Sequence, residues 1–195
     1  KKIIVMEFLN LNQIGQSCPS ALTQSPSSHL SHIYKFIPTT DVIDILGEQG
    51  WLPTQAVQTR TRKGHESKSP YKKHMLRFRN ENNNDISKII GDTHPEILLT
   101  NSHDGSSSFK FHVGLFRLVC SNGLVIADQT FDEFRVMHKG FQKEDILKVV
   151  EMSTEKIPMV VGRVQDMMSK ELNTSQQYDF AKMVADTRWG RRQND

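Results

Sequence analysis

No stretch of this sequence is long and apolar enough to cross a bilayer. A spanning helix needs roughly 18 to 20 apolar residues, and the longest runs here are short, such as Leu124-Val125-Ile126-Ala127. Lys1 and Lys2 with the apolar residues after them imitate the start of a signal peptide. Glu7, Asn10 and Asn12 break that pattern before an adequate apolar region forms. Membrane insertion is therefore not expected, and a cytoplasmic place is. Cysteine is scarce, with only Cys18 and Cys120 present. Two thiols are too few for a disulfide framework or a four-thiolate zinc site, and they suit a reducing compartment. Gly114 and Gly123 do not form a phosphate-binding loop, so nucleotide use is not expected. The spacings HxxxH, HxH and CxxC are missing, and no cofactor is expected. An initiating Met is also lacking, which points to a start inside a longer chain.

What is present is a chain of 195 residues, 36% hydrophobic, with a mean hydropathy of -0.50. That length fits one domain, or one domain with a small appendage. The net charge of +3 is mild, but its distribution is not. Between Arg60 and Arg79 stand Arg60, Arg62, Lys63, Lys68, Lys72, Lys73, Arg77 and Arg79, opposed within the segment only by Glu66. The remainder of the chain is net negative. Such asymmetry suits a polyanionic partner. A solvated loop and an edge strand guarded by cations would give the same composition.

Residues 1–35 lack periodicity, and Gln16 to Ser31 is rich in Ser, Pro, Gln and His. They read as an irregular lead-in to a single domain over 36–195. Thr39 or Thr40 is placed to cap a helix whose stripe is Val42, Ile43, Ile45 and Leu46, ended by Gly47 or Gly50. Val57 to Arg62 and Lys73 to Asn80 form a basic hairpin with a flexible tip over Lys63 to Ser69. Its returning strand carries Met75, Arg77 and Arg79 on one face and His74, Leu76 and Phe78 on the other. Further strands are expected over Pro95–Thr100, Phe109–Cys120, Leu124–Ala127 and Phe131–His138, with a tight turn at Ser121-Asn122-Gly123. From Glu144 the period becomes helical, through Ile146, Val149, Ile157, Val161 and Val164, with a kink or break near Pro158. Thr174 or Ser175 caps a last helix. Strands first and helices after define an α+β fold: a central antiparallel sheet of hairpins, followed and backed by helices.

Several strings carry a likeness. They are Asn101-Ser102-His103-Asp104-Gly105, Gly114-Leu115-Phe116-Arg117-Leu118-Val119-Cys120-Ser121-Asn122-Gly123-Leu124, and Arg135-Val136-Met137-His138-Lys139-Gly140. Phe36-x-Pro38, Gly50-Trp51-x-Pro53 and Lys73-His74-x-x-Arg77-Phe78 join them. Together they resemble the phage- and plasmid-like family called "domain of unknown function 932", over roughly Phe36 to Trp189. The resemblance implies a mobile-element setting and no defined activity. Mobile elements often encode single-strand annealing proteins, whose helix-backed sheet is similar to the order expected here, and which assemble into rings or filaments. This second likeness is an analogy of fold.

The leading expectation is a DNA-binding protein without catalysis, acting in single-strand annealing or recombination as a homo-oligomer. Arg60, Arg62, Lys63, Lys68, Lys72, Lys73, Arg77 and Arg79 would neutralise phosphates of single-stranded DNA. Tyr71 would stack on a base, and Arg117 and Arg135 would extend the track along one side of the sheet. One alternative is a metal-dependent nuclease drawing on His74, His103, Asp104, His112, Cys120 or His138. Against it, Asn101, His103 and Asp104 also read as turn-stabilising residues. A nucleophilic Cys120 would need His103 or His138 as base, and an end-of-strand Cys is more often a small hydrophobe. Another alternative is a protein-interaction module that counters a host defence factor. The methionines Met152, Met159, Met167 and Met168 read as core or as a subunit contact.

Overall fold

A computed structural model describes residues 8–60, 63–64, 70–83, 93–118, 125–136 and 142–190; at 93, 117–118, 125–136, 160 and 188 the description is of the backbone. The chain divides into two compact units, 1–161 and 162–195. Among the described residues no helix is long and apolar enough to cross a membrane.

The first unit is built on five strands. These are β1 (Trp51–Gln58), β2 (His74–Asn80), β3 (Thr93–Asn101), β4 (Phe109–Leu118) and β5 (Val125–Val136). Each pairs antiparallel with its sequence neighbour, so the sheet order is β1-β2-β3-β4-β5. The expected α+β class with a central antiparallel sheet is what the structure has. Pro53 sits in the edge strand β1, where its missing N–H removes no interior ladder bond. Its carbonyl accepts from the Leu9 N–H at 2.8 Å.

Where two short strands were expected over Leu124–Ala127 and Phe131–His138, there is one strand, β5. The polar Asp128-Gln129-Thr130 between them reads as a break in sequence. In the ladder, Val113 pairs with Asp132 but Gly114 with Thr130, and Leu115 with Gln129 but Phe116 with Ala127. Phe131 and Asp128 are thus extra residues absorbed as bulges.

One face of the sheet carries the main core. Leu76, Phe78, Ile97, Leu99, Phe111 and Val113 line it and are buried. Against this side come α1 (Leu11–Ser17), a 3₁₀ turn (Pro19–Leu22) and α2 (Thr39–Glu48). So the segment expected to be irregular is in part helical and packed: Ile14, Cys18 and Ala21 are fully buried. Asn10 caps α1 through a reciprocal box with Gln13, a sequence signature of a helix start. Gly50, at φ +75°, turns the chain from α2 into β1.

The opposite face is charged at its centre. Glu96 on β3 is fully buried and accepts from Arg77 Nε at 2.7 Å and Arg79 Nε at 2.5 Å. Arg77 is itself 2% exposed and reaches Gln55 Oε1 at 3.0 Å. Glu66 is therefore not the only acid that opposes the basic segment.

Helix α3 (Lys143–Met168) runs on through Pro158 without the expected break. Ile146, Val149, Val150, Ser153 and Ile157 form its buried stripe, close to the one predicted. Lys143 Nζ lies 3.0 Å from Glu48 Oε2 at the end of α2. In the second unit, α4 (Thr174–Trp189) is capped not by Thr174 or Ser175 but by Asn173, in a box with Gln176. Met159, Met167 and Met168 are exposed rather than core.

Removing Glu96 would strand the buried Arg77 guanidinium. Glu96→Ala is expected to lower stability by about 3–5 kcal/mol, read as a shift in the urea unfolding midpoint. A Glu96→Ala protein within about 1 kcal/mol of the parent would show that Arg77 re-solvates, against this account.

Candidate functional site

In an antiparallel meander the strand ends alternate. One end of this sheet therefore collects the β1–β2 connection, the end of β3, the start of β4 and the end of β5. Its centre is a buried polar relay. The Asn101 amide donates to Ile37 O at 3.3 Å and to Thr39 Oγ1 at 3.1 Å. Thr39 Oγ1 lies 2.8 Å from His74 Nε2, and His74 Nδ1 lies 3.0 Å from the Lys72 carbonyl. A carbonyl can only accept, so Nδ1 carries the proton and Nε2 accepts from the Thr39 hydroxyl. The relay is complete only with neutral His74. Burial lowers its pKa from 6.5 to about 4, although the Lys72 carbonyl and the Asp104 charge pull the other way. Thr39 or Thr40 was expected to cap α2. The helix instead starts after Pro38 with no side-chain cap, and the Thr39 hydroxyl serves the relay.

The string Asn101-Ser102-His103-Asp104-Gly105 forms the turn beyond β3. Asn101 Oδ1 accepts from Ser102 N, and Asp104 Oδ1 from Ser106 N. Burial alone would raise the Asp104 carboxyl, but bonds with Ser106 and Ser102 outweigh it and hold the group below its ordinary value. Gly105 has φ +73°, and a Cβ there would lie 2.9 Å from Leu30 Cδ2. The turn holds a strap, residues 23–34, against the sheet end. Ser27 N donates to His103 O, Tyr34 OH donates to Ser102 O, and His29 Nε2 lies 3.3 Å from Asp104 O. Burial pushes the Tyr34 hydroxyl up to about 12, with the Asp104 charge adding to it. His103 N also donates to Tyr71 O, and Thr23 Oγ1 to Pro70 O at 2.5 Å. The carbonyls of Pro70, Tyr71, Lys72 and Lys73 are thus all engaged, the last by the Thr59 N–H.

The predicted cations fall into three groups. Arg60, Lys63 and Lys73 are exposed and Tyr71 and Lys72 half-exposed, all at this sheet end. Arg77 and Arg79 are on β2 and pair with Glu96; burial leaves Arg77 no surface to offer a phosphate. Trp51 and Phe78 are core residues. Arg135 and Arg117 occupy opposite ends of the β4–β5 ladder, paired with Lys110 and Ile126 respectively. Lys110 and Arg117 stand seven positions apart on β4, roughly 23 Å at 3.3 Å per residue. The structure therefore brings Arg135, not Arg117, to the basic end. Arg62, Lys68, Cys120, His138 and the Ser121-Asn122-Gly123 turn lie outside the described residues. Two features of this end escaped sequence reasoning: Lys110 at the start of β4, and the strap that carries His29. The alternation of strand ends was the signal for the first.

Among the described residues, no three His, Cys, Asp or Glu side chains are placed to hold an ion. His103 is fully buried, its ring 4.8 Å from Phe36 and 5.0 Å from His74. The pKa of His74 has a consequence for stability. Its folded value lies below its unfolded one, so the stabilisation is complete above about pH 6.5 and is lost as pH falls towards 4. The melting temperature should therefore fall through that window, and His74→Gln should flatten the profile. An equally steep profile in His74→Gln would assign the acid sensitivity to another group.

Two curated relatives from Escherichia coli (strain K12) are similar to this chain. UPF0380 protein YafZ is 36% identical over 186 residues, and UPF0380 protein YfjQ is 35% identical over 186 residues. Each match takes in 93% of this chain and 64% of the relative, so the chain spans about 64% of their length. No solved structure matches it. The family described as Domain of unknown function (DUF932) matches over residues 26–195, and the chain belongs to that family.

Proposed function

We propose that the protein binds single-stranded DNA at the basic end of its sheet and acts in single-strand annealing or recombination for a phage, plasmid or related mobile element. The observation that carries this reading is the pair Lys72 and Lys73 beside Tyr71, on backbone held by His74, His103 and Thr23, with the exposed Arg60 and Lys63 in the same β1–β2 connection. Cations on a fixed frame lose less freedom on meeting a phosphate chain than cations on a free loop. Each contact releases counterions and so makes affinity steeply dependent on salt. Tyr71 offers a face on which an unpaired base stacks.

Annealing needs no bond to be made or broken by the protein. Two complementary strands repel each other through their phosphates. Neutralising one strand removes that repulsion, and its outward bases then meet the second. A homo-oligomeric ring or filament would repeat the site along the strand. A cytoplasmic place is the setting such a role requires.

Fluorescence anisotropy of a labelled oligothymidylate across a salt series, without added metal, tests the reading. The parent protein is expected to bind tightly at low salt. Lys72→Ala/Lys73→Ala should reduce the log–log salt slope by about 1.4, at about 0.7 per single-strand contact. Tyr71→Ala should weaken binding by about 1–3 kcal/mol with the slope unchanged. Absence of binding at low salt would overturn the proposal.

A further inference from the structure

Residues 23–34 cross the sheet end between two buried posts, Ala21 and Ile37, and none of them is itself buried. What holds this strap is a short set of polar bonds to one place. Three successive carbonyls of the turn beyond β3 face it. Ser102 O accepts from the Tyr34 hydroxyl at 3.0 Å, His103 O accepts from the Ser27 N–H at 2.9 Å, and Asp104 O lies 3.3 Å from His29 Nε2. A carbonyl only accepts, so the neutral His29 ring carries its proton on Nε2, and Nδ1 accepts from the Ser27 hydroxyl at 2.8 Å. Leu30 adds an apolar seat. A Cβ on Gly105 would come within 2.9 Å of Leu30 Cδ2, so this side chain lies close over the glycine backbone.

The same turn is bonded on its other side to the basic connection. The His103 N–H donates to Tyr71 O at 3.0 Å, so one residue joins strap and connection through its two backbone groups. Thr23, at the head of the strap, reaches Pro70 O directly. A segment with little buried apolar surface and exposed bonds opens at low free-energy cost. Its fixed posts let this one lift while the sheet stays folded. Lifting removes the bond to Pro70 O and leaves His103 held from one side only.

We propose that residues 23–34 are a releasable clamp on the β1–β2 connection. Docked on the turn at Ser102–Asp104, they hold Pro70 and Tyr71 in place; lifted, they let the connection move. The bearing of the clamp on binding rests on the single-stranded DNA reading above. A strand that grips Tyr71, Lys72 and Lys73 in their fixed arrangement favours the docked clamp, and by reciprocity the docked clamp favours the strand.

Amide hydrogen exchange on the full chain tests the clamp with no ligand present. Tyr34→Phe removes one bond and keeps the ring. It should speed exchange over 23–34, at the His103 N–H and over Tyr71–Lys73 by about 2- to 12-fold, the factor that one net hydrogen bond contributes. Leu30→Ala, which removes the apolar seat, should act in the same direction. The amides of Ile97–Leu99, inside the sheet, should exchange as in the parent. Acceleration confined to 23–34, or absent from both variants, would overturn the clamp. So would an equal acceleration at Ile97–Leu99, which would make the strap part of the sheet's own cooperative unit. A saturating oligothymidylate should slow exchange over 23–34 in the parent. Binding that leaves this exchange unaltered would overturn the link to the site. If no oligothymidylate binds at low salt, the DNA reading falls, and the ligand-free exchange still decides the clamp.

Discussion

His74 has a carbonyl on one side of its ring and a hydroxyl on the other, and only one neutral tautomer satisfies both. Around that constraint the basic end of the sheet is organised. Thr39 brings the first turn of α2, Asn101 brings the end of β3, and the Lys72 carbonyl brings the basic segment. A protonated ring would have two donors and no acceptor, and the Thr39 hydroxyl would lose the nitrogen that takes its proton. The buried relay therefore does more than fill space. It dictates where Tyr71, Lys72 and Lys73 stand.

The basic segment divides into cations with different tasks. Arg77 and Arg79 lie on a strand, inside the sheet's second face, and both are bonded to Glu96. Buried ion pairs of this kind contribute little net stability yet are destructive to break. Their value here is positional, since a guanidinium anchored to β1 through Gln55 and to β3 through Glu96 ties three strands in register. Arg60, Lys63, Lys72 and Lys73 lie off the strands and remain at the surface. Charge density along the sequence overstates the charge available to a partner, because it cannot distinguish these two groups.

Much of the sheet was legible because alternation is a local property. Phe109, Phe111, Val113 and Leu115 announce β4 without any knowledge of its neighbours, and the faces of β2 came out with the expected parity. What escaped depended on contacts distant in sequence. Glu96 is 19 residues from Arg77 and becomes its partner only through the β2–β3 register. Thr39 has the chemistry of a cap, and only the fold reveals that His74 claims its hydroxyl. The bulges of β5 disguise one strand as two, because an extra residue resets the parity on which strand reading relies. Asn10 and Gln13 were a readable signal, hidden by the polar composition around them. Of the candidate site, the cations of the β1–β2 connection were legible; the rung that sets Lys110 against Arg135 was not.

The meander has a kinetic corollary. Every strand pairs with the one made just before it, so each hairpin closes a short loop and the ladder can grow rung by rung as the chain is synthesised. The strap cannot follow that schedule. Residues 23–34 are made early, but their anchors at Pro70, Ser102 and His103 come later. A nascent chain must hold this Ser-rich stretch unpaired until β3 and its turn have emerged. Its low hydrophobicity lets it wait in water without sticking to the strands still being assembled, and its docking becomes a late step that fixes the basic end.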